Sequence, residues 1–126
     1  MDDDKTNLEE LKKEIREFVE ERNWIKYHHP KELAVSIAIE VGELLEIFQW
    51  DDKADIQQIK NDKETMKRIK SELADITMYI LSFANQLDID ITDSVLQKLK
   101  QNRIKYEKNM VLKTGAYRKD KLMEFD

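Results

Sequence analysis

The sequence predicts an all-α protein, and three observations lead to this fold class. Only two glycines and one proline occur among 126 residues, so residues that break helices are rare. Glutamate, lysine and leucine, which favour helices, are abundant. Apolar residues recur at intervals of three and four, which is the period of an amphipathic helix. We therefore predict a four-helix bundle that forms one domain over residues 1–126, a length typical of a single domain.

The first two helices are predicted from their start signals. Thr6 with Glu9 makes a capping-box pattern, and apolar residues follow at helical spacing until about Asn23. After an aromatic and polar stretch, Pro30 suits the first turn of a second helix. This helix is predicted to extend over about residues 31–50.

The second half of the chain predicts two further helices. Residues 51–62 form a polar connection with a short helical turn, and Asn61 with Glu64 resembles another capping-box start. The third helix is predicted over about residues 62–87. After a short turn, the fourth is predicted over about residues 91–109.

The ends of the chain and its composition limit the classes of protein that it can represent. Residues 1–5 resemble an expression-tag remnant or a disordered start, and residues 113–126 are predicted to form a mobile tail. No apolar run reaches the roughly 18 residues that span a bilayer, and no signal peptide is recognised. The absence of cysteine excludes disulfides, thiolate metal sites and cysteine nucleophiles. We expect a cytoplasmic protein without a membrane partner.

The charge of the chain is negative overall and unevenly distributed. The formal net charge of −5 disfavours general binding to nucleic acid, so no nucleic-acid partner is expected. Acidic residues dominate the beginning of the chain and basic residues its end. The late basic segment could contact phosphates; alternatively, its side chains form a solvated helix face and tail.

Two acidic dyads of the same spacing carry most of the chemical information: Glu40 with Glu43, and Glu72 with Asp75. In each dyad the first residue lies at the edge of an apolar stripe and the second about 60° further round the helix. A carboxylate beside apolar surface is costly to desolvate unless a positive charge meets it. If the second and third helices pack antiparallel through their stripes, all four carboxylates converge at one rim of the interface.

The stripes themselves are predicted from helical spacing. On the second helix the stripe consists of Leu33, Ile37, Val41, Leu44 and Phe48. On the third helix it consists of Ile69, Leu73, Ile76, Ile80 and Leu87. Glu46 points away from the stripe of the second helix and is expected in solvent.

The dyads also have an ordinary interpretation, as surface acids of amphipathic helices. Like charges at this spacing repel each other, so a matched doubling favours a bound cation. Carboxylate oxygens suit Mg²⁺ or Mn²⁺. A di-iron carboxylate bundle would need a Glu-x-x-His element, which neither dyad has, and a zinc site would need a set of histidines.

A magnesium site of this kind suggests a phosphorylated substrate, because Mg²⁺ usually binds carboxylates together with substrate phosphates. Lys98, Asn102 and Lys105 lie at helical spacing, so one helix face could present all three to phosphates. Trp24 and Trp50 could stack on a base, or pack in the core instead. Neither a glycine-rich phosphate loop nor a Ser/His/Asp set is present, so the expected nucleophile is an activated water.

Five segments of the chain, in order, match a known family. They are FVEERNW at residues 18–24, HHPKEL at 28–33, EVGELLEIFQW at 40–50, ELAD at 72–75 with Tyr79, and NRIKY at 102–106. On these motifs the chain resembles the MazG-like nucleoside triphosphate pyrophosphohydrolases, and among them the dCTP pyrophosphatase-like branch of the all-α NTP pyrophosphatase superfamily. The resemblance covers about residues 8–109.

The resemblance implies hydrolysis of a deoxynucleoside triphosphate to the monophosphate and pyrophosphate, with Mg²⁺ as cofactor. It implies that the metal ligands and catalytic acids are Glu40, Glu43, Glu72 and Asp75. One of these acids would orient the attacking water. The substrate-binding residues that it implies are Trp24 and Trp50 at the base, Tyr79, Asp75 and Asn102 at the nucleoside, Lys98 and Lys105 at the phosphates, and His28 near the pocket.

Two positions depart from the pattern of the family. Ile15 stands where the dCTP-selective relatives carry a histidine, so the resemblance leaves the preferred base open between dCTP and a broader set of dNTPs. Glu107 follows Tyr106 where the family usually has proline, and we expect this change to lengthen the fourth helix.

The resemblance also implies a homo-oligomer, either a dimer or a tetramer built as a dimer of dimers, with sites at subunit interfaces. Ile39 and Met78 lie off the main stripes and offer surface that a partner could bury. Gly42 in mid-helix could permit a close helix approach; alternatively, it is a tolerated glycine that costs about 1 kcal/mol relative to alanine.

Two other classes of function compete with the enzyme. A non-catalytic, nucleotide-binding regulatory helical module would keep the fold without turnover, although the presence of all four acids argues against it. A purely structural helical bundle would show no Mg²⁺-dependent change in melting temperature, because a metal that binds only the native state raises it.

Overall fold

The computed structural model describes residues 1–50 and 55–115, and this part of the chain contains α-helices, one 3₁₀ turn and no β-strand. The predicted all-α class is therefore confirmed. The elements are α1 (Leu8–Glu21), the 3₁₀ turn (Ile25–Tyr27), α2 (Pro30–Phe48), α3 (Ile56–Asn61), α4 (Lys63–Gln86), α5 (Ile91–Lys105) and α6 (Lys108–Thr114). The chain divides into two compact units, one up to Ile89 and one from Asp90 onward.

Some predicted regions fall partly outside the described residues. The predicted polar connection contains α3 as its short helix, whereas residues 51–54 lie outside the described part. Of the predicted tail, Lys113 and Thr114 close α6, and residues 116–126 are not described. Among the residues that the structure describes, no helix is long and apolar enough to cross a membrane.

Helix α1 begins one residue later than the predicted capping box would place it. The side chain of Asn7 accepts a hydrogen bond from the backbone N–H of Glu10 at 2.8 Å, and the Glu10 carboxylate accepts one from the N–H of Asn7 at 3.4 Å. The predicted capping box of Thr6 with Glu9 is wrong by one residue. Thr6/Glu9 and Asn7/Glu10 have the same spacing, and the structure forms the second pair. Asparagine is at least as good an N-cap as threonine.

The end of α1 turns the chain sharply through a left-handed residue. Asn23 has a positive φ of 55°, and its N–H donates to Glu20 O at 2.9 Å while the N–H of Trp24 donates to Val19 O at 3.0 Å. This pair of bonds is a Schellman motif, which satisfies the free carbonyls of the last helical turn. The motif turns Trp24 back toward α1, where its ring meets Phe18 edge-on at 5.6 Å.

The first unit is built around α4, against which α1, α2 and α3 all pack. Gln86, at the end of α4, contacts His28 just before α2, whereas Glu72 lies against Glu40 in the middle of α2. The two helices therefore run antiparallel, as expected for the two stripes to meet. The most deeply buried apolar residues are Ile15, Val19, Leu33, Leu81 and Ala84.

Helix α4 is capped by Asp62 instead of the predicted Asn61. The Asp62 carboxylate accepts a hydrogen bond from the N–H of Thr65 at 3.0 Å. Asn61 is the last residue of α3, so Asp62 directly joins the two helices. The negative charge of the Asp62 cap also interacts favourably with the positive end of the helix dipole.

The fourth predicted helix is interrupted, so the expectation of one helix up to residue 109 is wrong. Helix α5 ends at Lys105, and Tyr106 leaves helical geometry with φ −107° and ψ 62°. Glu107 then caps α6, because its carboxylate accepts hydrogen bonds from the N–H groups of Asn109 and Met110 at 3.0 and 2.9 Å. These bonds lower the pKa of Glu107. The residue that replaces the family's proline thus starts a new helix and does not lengthen the old one.

The chain covers only one side of the predicted apolar stripes. On α4, Leu73 remains 49% exposed and Ile80 38% exposed, while Ile69 and Ile76 are half-buried. On α2, the exposed apolar residues are Val35, Ile39, Val41 and Leu45. A Cβ on Gly42 would meet no atom within 4 Å, so no close helix approach occurs there among the residues that the structure describes. Helices α2 and α4 thus carry more apolar surface than the described chain covers.

Candidate functional site

Helices α2 and α4 bring three of the predicted acids together. One carboxylate oxygen from each of Glu40, Glu43 and Glu72 lies within 4.8 Å of the other two. Glu40 and Glu72 are half-buried, and Glu43 is exposed. One oxygen of Glu40 and one of Glu72 are buried without a hydrogen-bond partner in the structure. The antiparallel pairing of the two i,i+3 dyads thus brings three of the four predicted acids within this distance of one another, and Asp75 is not part of the group.

The cluster carries a strong excess of negative charge. The pKa of Glu40 is raised from 4.5 to about 7, first by burial and then by the neighbouring carboxyl groups of Glu43, Glu72 and Asp75. The pKa of Glu72 is also raised, mainly by burial, with contributions from the charges of Glu43 and Asp75 and against a contact with Glu40 that lowers it. The negative charge of Asp75, the fourth acid, thus also acts on the carboxyl groups of Glu40 and Glu72.

The residues of the cluster fit a divalent cation. All candidate ligands are carboxylate oxygens. Two of these oxygens are buried from water and accept no hydrogen bond, which costs free energy unless a cation binds them. The ion pairs between described residues involve none of the four acids Glu40, Glu43, Glu72 and Asp75. A hard divalent ion would satisfy both the free lone pairs and the charge.

A cavity of about 240 Å³ has Asp75 in its lining, and the charge of Asp75 contributes to the raised pKa of Glu40 in the cluster. Helix α1 contributes Ile15, Phe18 and Val19 to its wall, and α4 contributes Asp75, Met78, Tyr79 and Ser82. Trp24 and His28, from the segment between α1 and α2, complete the lining. A mostly apolar, aromatic-lined cavity with a few polar groups is typical of a site for a small molecule.

The aromatic part of the wall is held from outside by an arginine. The Arg22 guanidinium lies 3.9 Å from the centroid of the Phe18 ring and 6.0 Å from that of Trp24. Its Nη1 also donates a hydrogen bond to the backbone carbonyl of Phe18 at 3.0 Å. Burial lowers the pKa of His28, so its ring favours the neutral form.

The predicted site residues are placed in three groups. Trp24, His28, Asp75 and Tyr79 line the cavity, and Glu40, Glu43 and Glu72 form the cluster. Trp50 is 90% exposed and does not line the cavity of the described chain. Lys98, Asn102 and Lys105 share one face of α5 in the second unit, with Asn102 half-buried and both lysines exposed. Their roles at phosphates and nucleoside, and that of Trp50, stay predictions.

Several cavity residues were not predicted from the sequence. Their spacing predicts only an apolar helix side for Phe18 and Val19 and a partner surface for Met78, and no pattern in the sequence distinguishes Ser82. The only sequence signal for Phe18 is its place at the start of the FVEERNW segment, which ends in Trp24. Ile15, noted as a departure from the family pattern, lies in the cavity wall.

Comparison with known proteins identifies a family and relatives that this chain resembles. A family model described as MazG-like matches residues 35–116. The dCTP pyrophosphatase 1 of Bos taurus is 35% identical over 100 residues, which cover 79% of this chain and 59% of the relative. That of Rattus norvegicus is 31% identical over 99 residues, covering 79% and 58%. The chain thus spans less than two thirds of the length of these curated relatives.

A solved structure extends the similarity over nearly a whole protein. The crystal structure of a pyrophosphatase from Archaeoglobus fulgidus DSM 4304 superposes with a TM-score of 0.73 at 42% sequence identity. The match covers 80% of this chain and 93% of the other. Together with the family model, which covers more than half of the sequence, this similarity shows that the chain belongs to the MazG-like family.

Proposed function

We propose that the protein is a nucleoside triphosphate pyrophosphohydrolase that converts dNTPs to dNMPs and pyrophosphate. The observation that carries the proposal is the acidic cluster, with two desolvated carboxylate oxygens that have no donor, together with an aromatic-lined cavity whose wall includes Asp75, an acid that acts electrostatically on Glu40 and Glu72. Relatives named dCTP pyrophosphatase and a structural neighbour named pyrophosphatase support the same reaction. A cytoplasmic location, where such an enzyme would clean the nucleotide pool, remains a prediction from the sequence.

In this proposal Mg²⁺, or Mn²⁺ in its place, is held by Glu40, Glu43, Glu72 and Asp75. When bound, the cation neutralises charge that develops on the phosphates and makes water a better nucleophile. The protein holds these carboxylates in place before substrate arrives, because they extend from two helices, α2 and α4, that pack against each other. One carboxylate of the cluster orients the attacking water, whose oxygen forms a bond to phosphorus as the P–O bond that joins the α- and β-phosphates breaks. The dNMP and pyrophosphate leave, and the water's protons pass to these products and to solvent.

The cavity would hold the nucleoside. Trp24 and Phe18 present aromatic surface on which a base can stack, and Tyr79 lies on the opposite helix. Asp75 lines the cavity and its charge acts on Glu40 and Glu72, so a nucleoside in the cavity would direct its phosphates toward the cluster. Ile15 offers no hydrogen bond to a base, which favours acceptance of several dNTPs, dCTP among them, over strict cytosine selection.

The direct test is pyrophosphate release from a panel of dNTPs and NTPs, with Mg²⁺ and with EDTA. We expect metal-dependent release, faster with dNTPs than with NTPs, and more than one base accepted. Absence of release from every nucleotide by a folded protein would contradict the proposal. Calorimetric binding of a dNTP without any product would instead favour the non-catalytic regulatory module.

We also propose that the protein is a homo-oligomer, a dimer or a dimer of dimers. The support is the exposed apolar face of α2, formed by Val35, Ile39, Val41 and Leu45, together with the exposed Leu73 and Ile80 on α4. Several large apolar side chains left exposed on two neighbouring helices are typical of an interface between subunits.

Leu45→Glu is expected to dissociate the oligomer, because it places a charge on a residue of this face that is 65% exposed in the single chain. Light scattering coupled to gel filtration measures the result. Ile56→Glu is the matched control, since Ile56 on α3 is equally exposed at 65% but lies on another helix. A wild-type protein that elutes as a monomer at all concentrations would show that the proposed oligomer is wrong.

A further inference from the structure

Gln86, the last residue of α4, forms hydrogen bonds to the segment from Trp24 to His28. This segment forms one edge of the cavity and is called the rim segment below. The side-chain Nε2 of Gln86 donates a hydrogen bond to the carbonyl of His28 at 2.9 Å and lies 3.4 Å from the carbonyl of Ile25. Trp24 and His28, at the two ends of this segment, both line the cavity, whereas Gln86 does not.

The other hydrogen bonds of this rim segment, as far as the described residues show, are local. The N–H of Trp24 donates to Val19 O in α1, and those of Tyr27 and His28 donate to carbonyls within the segment. The amide of Gln86 is therefore the hydrogen-bonding group that sets the position of the rim relative to α4. The facing wall of the cavity, with Met78 and Tyr79, belongs to that same helix.

We propose that Gln86 is a positioning residue for nucleotide recognition, which fixes the width of the cavity between the rim and α4. The inference rests on the proposed function of the site. Two carbonyl groups held by one amide leave the rim little freedom to move away, so the cavity is pre-formed for a flat ring. Pre-organisation of this kind lowers the entropy that a ligand loses on binding.

The position of Gln86 predicts which kinetic constant it affects. Gln86 lies eleven residues beyond Asp75 on α4, which corresponds to about 16 Å along the helix axis. The acidic cluster is thus remote from the Gln86 amide. Loss of this amide leaves the cluster and its charges unchanged. Gln86→Met, which keeps the length of the side chain and removes the donor, is expected to raise KM for a dNTP about tenfold and to change kcat less than about twofold.

Lys12→Met is the matched control. The Lys12 ammonium donates to the carbonyl of Ile89 at 3.1 Å, which is also a long-range bond from a side chain to the backbone near the end of α4, but neither residue lines the cavity. Both KM and kcat of this variant are expected to stay within about twofold of the wild type. Gln86→Glu, which retains shape and only accepts hydrogen bonds, replaces Gln86→Met if the latter fails to fold.

A second readout follows Trp24 without any turnover. The chain has two tryptophans, so in a Trp50→Phe background the fluorescence reports on Trp24 alone. Gln86→Met in that background is expected to shift the Trp24 emission to the red and to increase its quenching by acrylamide, while Lys12→Met leaves both as they are. A folded Gln86→Met protein with unchanged KM and unchanged Trp24 quenching would overturn the inference.

The two readouts separate this inference from the proposed function. If the wild-type protein hydrolyses no nucleotide, the proposed function fails, and Trp24 quenching still decides whether Gln86 holds the rim. If the wild-type protein is active and Gln86→Met lowers kcat at constant KM, the function stands and the positioning role is wrong.

Discussion

Glu43→Gln and Asp75→Asn are each expected to lower turnover at least about a hundredfold while leaving the helical fold intact. The amide keeps the shape of the side chain but removes a negative ligand from the proposed cation site. Loss of such a ligand removes several kcal/mol of charge stabilisation, and about 1.4 kcal/mol corresponds to a tenfold change in rate. Pyrophosphate release at saturating Mg²⁺ measures the effect, and circular dichroism verifies the helical content.

Glu46→Gln provides the control for this pair. Glu46 lies three residues after Glu43 on the same helix, is exposed, and belongs to neither the cluster nor the cavity. Its variant carries the same change of charge and is expected to retain wild-type activity. Full turnover by Glu43→Gln or Asp75→Asn would remove the assignment of the metal site, whatever the behaviour of the control.

The metal-free protein is expected to lose thermal stability as the pH rises from about 4.5 to 7. The folded pKa of Glu40 is about 7, against an ordinary value of 4.5. Between these two values the folded state binds more protons than the unfolded state, so raising the pH favours unfolding. The contribution of the protonated carboxyl is present below about 4.5 and is lost as the pH passes the folded pKa.

Melting temperatures of the wild type and of Glu40→Gln, measured in EDTA across this pH range, isolate the contribution of this group from that of other acids. At pH 8 the variant is expected to melt at a higher temperature than the metal-free wild type, because it lacks the buried charge. Addition of Mg²⁺ should then raise the melting temperature of the wild type, and much less that of the variant. Identical pH profiles for the two proteins, together with no response to Mg²⁺, would favour a purely structural bundle.

The position of the acidic cluster could be predicted from the sequence because it depends on the helix period alone. Glu40 with Glu43 and Glu72 with Asp75 have the same spacing and the same offset from their stripes, so helices that pack antiparallel through those stripes bring the dyads toward one rim, where the structure groups Glu40, Glu43 and Glu72. The exact set of contacts could not be predicted. Asp75 lines the cavity and its charge acts on Glu40, and its place in the cavity wall depends on where α1 lies.

Helix boundaries were less predictable, since neighbouring residues compete for the same cap. Thr6 and Asn7 each have a glutamate three residues later. Asn61 and Asp62 are neighbours just before α4, and both are residue types that are favourable as an N-cap. Glu107 offered no clear signal, because a glutamate is a good helix former in mid-helix and a good acceptor for free N–H groups at a helix start. Such choices depend on small differences in free energy.

The cavity was the part least visible in the sequence. Phe18, Val19 and Met78 are apolar residues at ordinary helical spacing, and only their three-dimensional arrangement with Trp24 makes them a wall. The turn that places Trp24 depends on Asn23 adopting a left-handed conformation, which asparagine does more readily than most residues. The burial that distinguishes Ile69 from Leu73 likewise depends on which sides of α4 other helices cover.

The two carboxylate oxygens without a donor set limits on how this protein can be evolved in the laboratory. A selection for heat resistance in the absence of metal would favour neutral replacements of Glu40 and Glu72, since each removes an unfavourable buried charge. The same replacements would remove the proposed cation site. Directed evolution toward a more robust catalyst should therefore be carried out with metal and nucleotide present, so that folding and turnover are selected together.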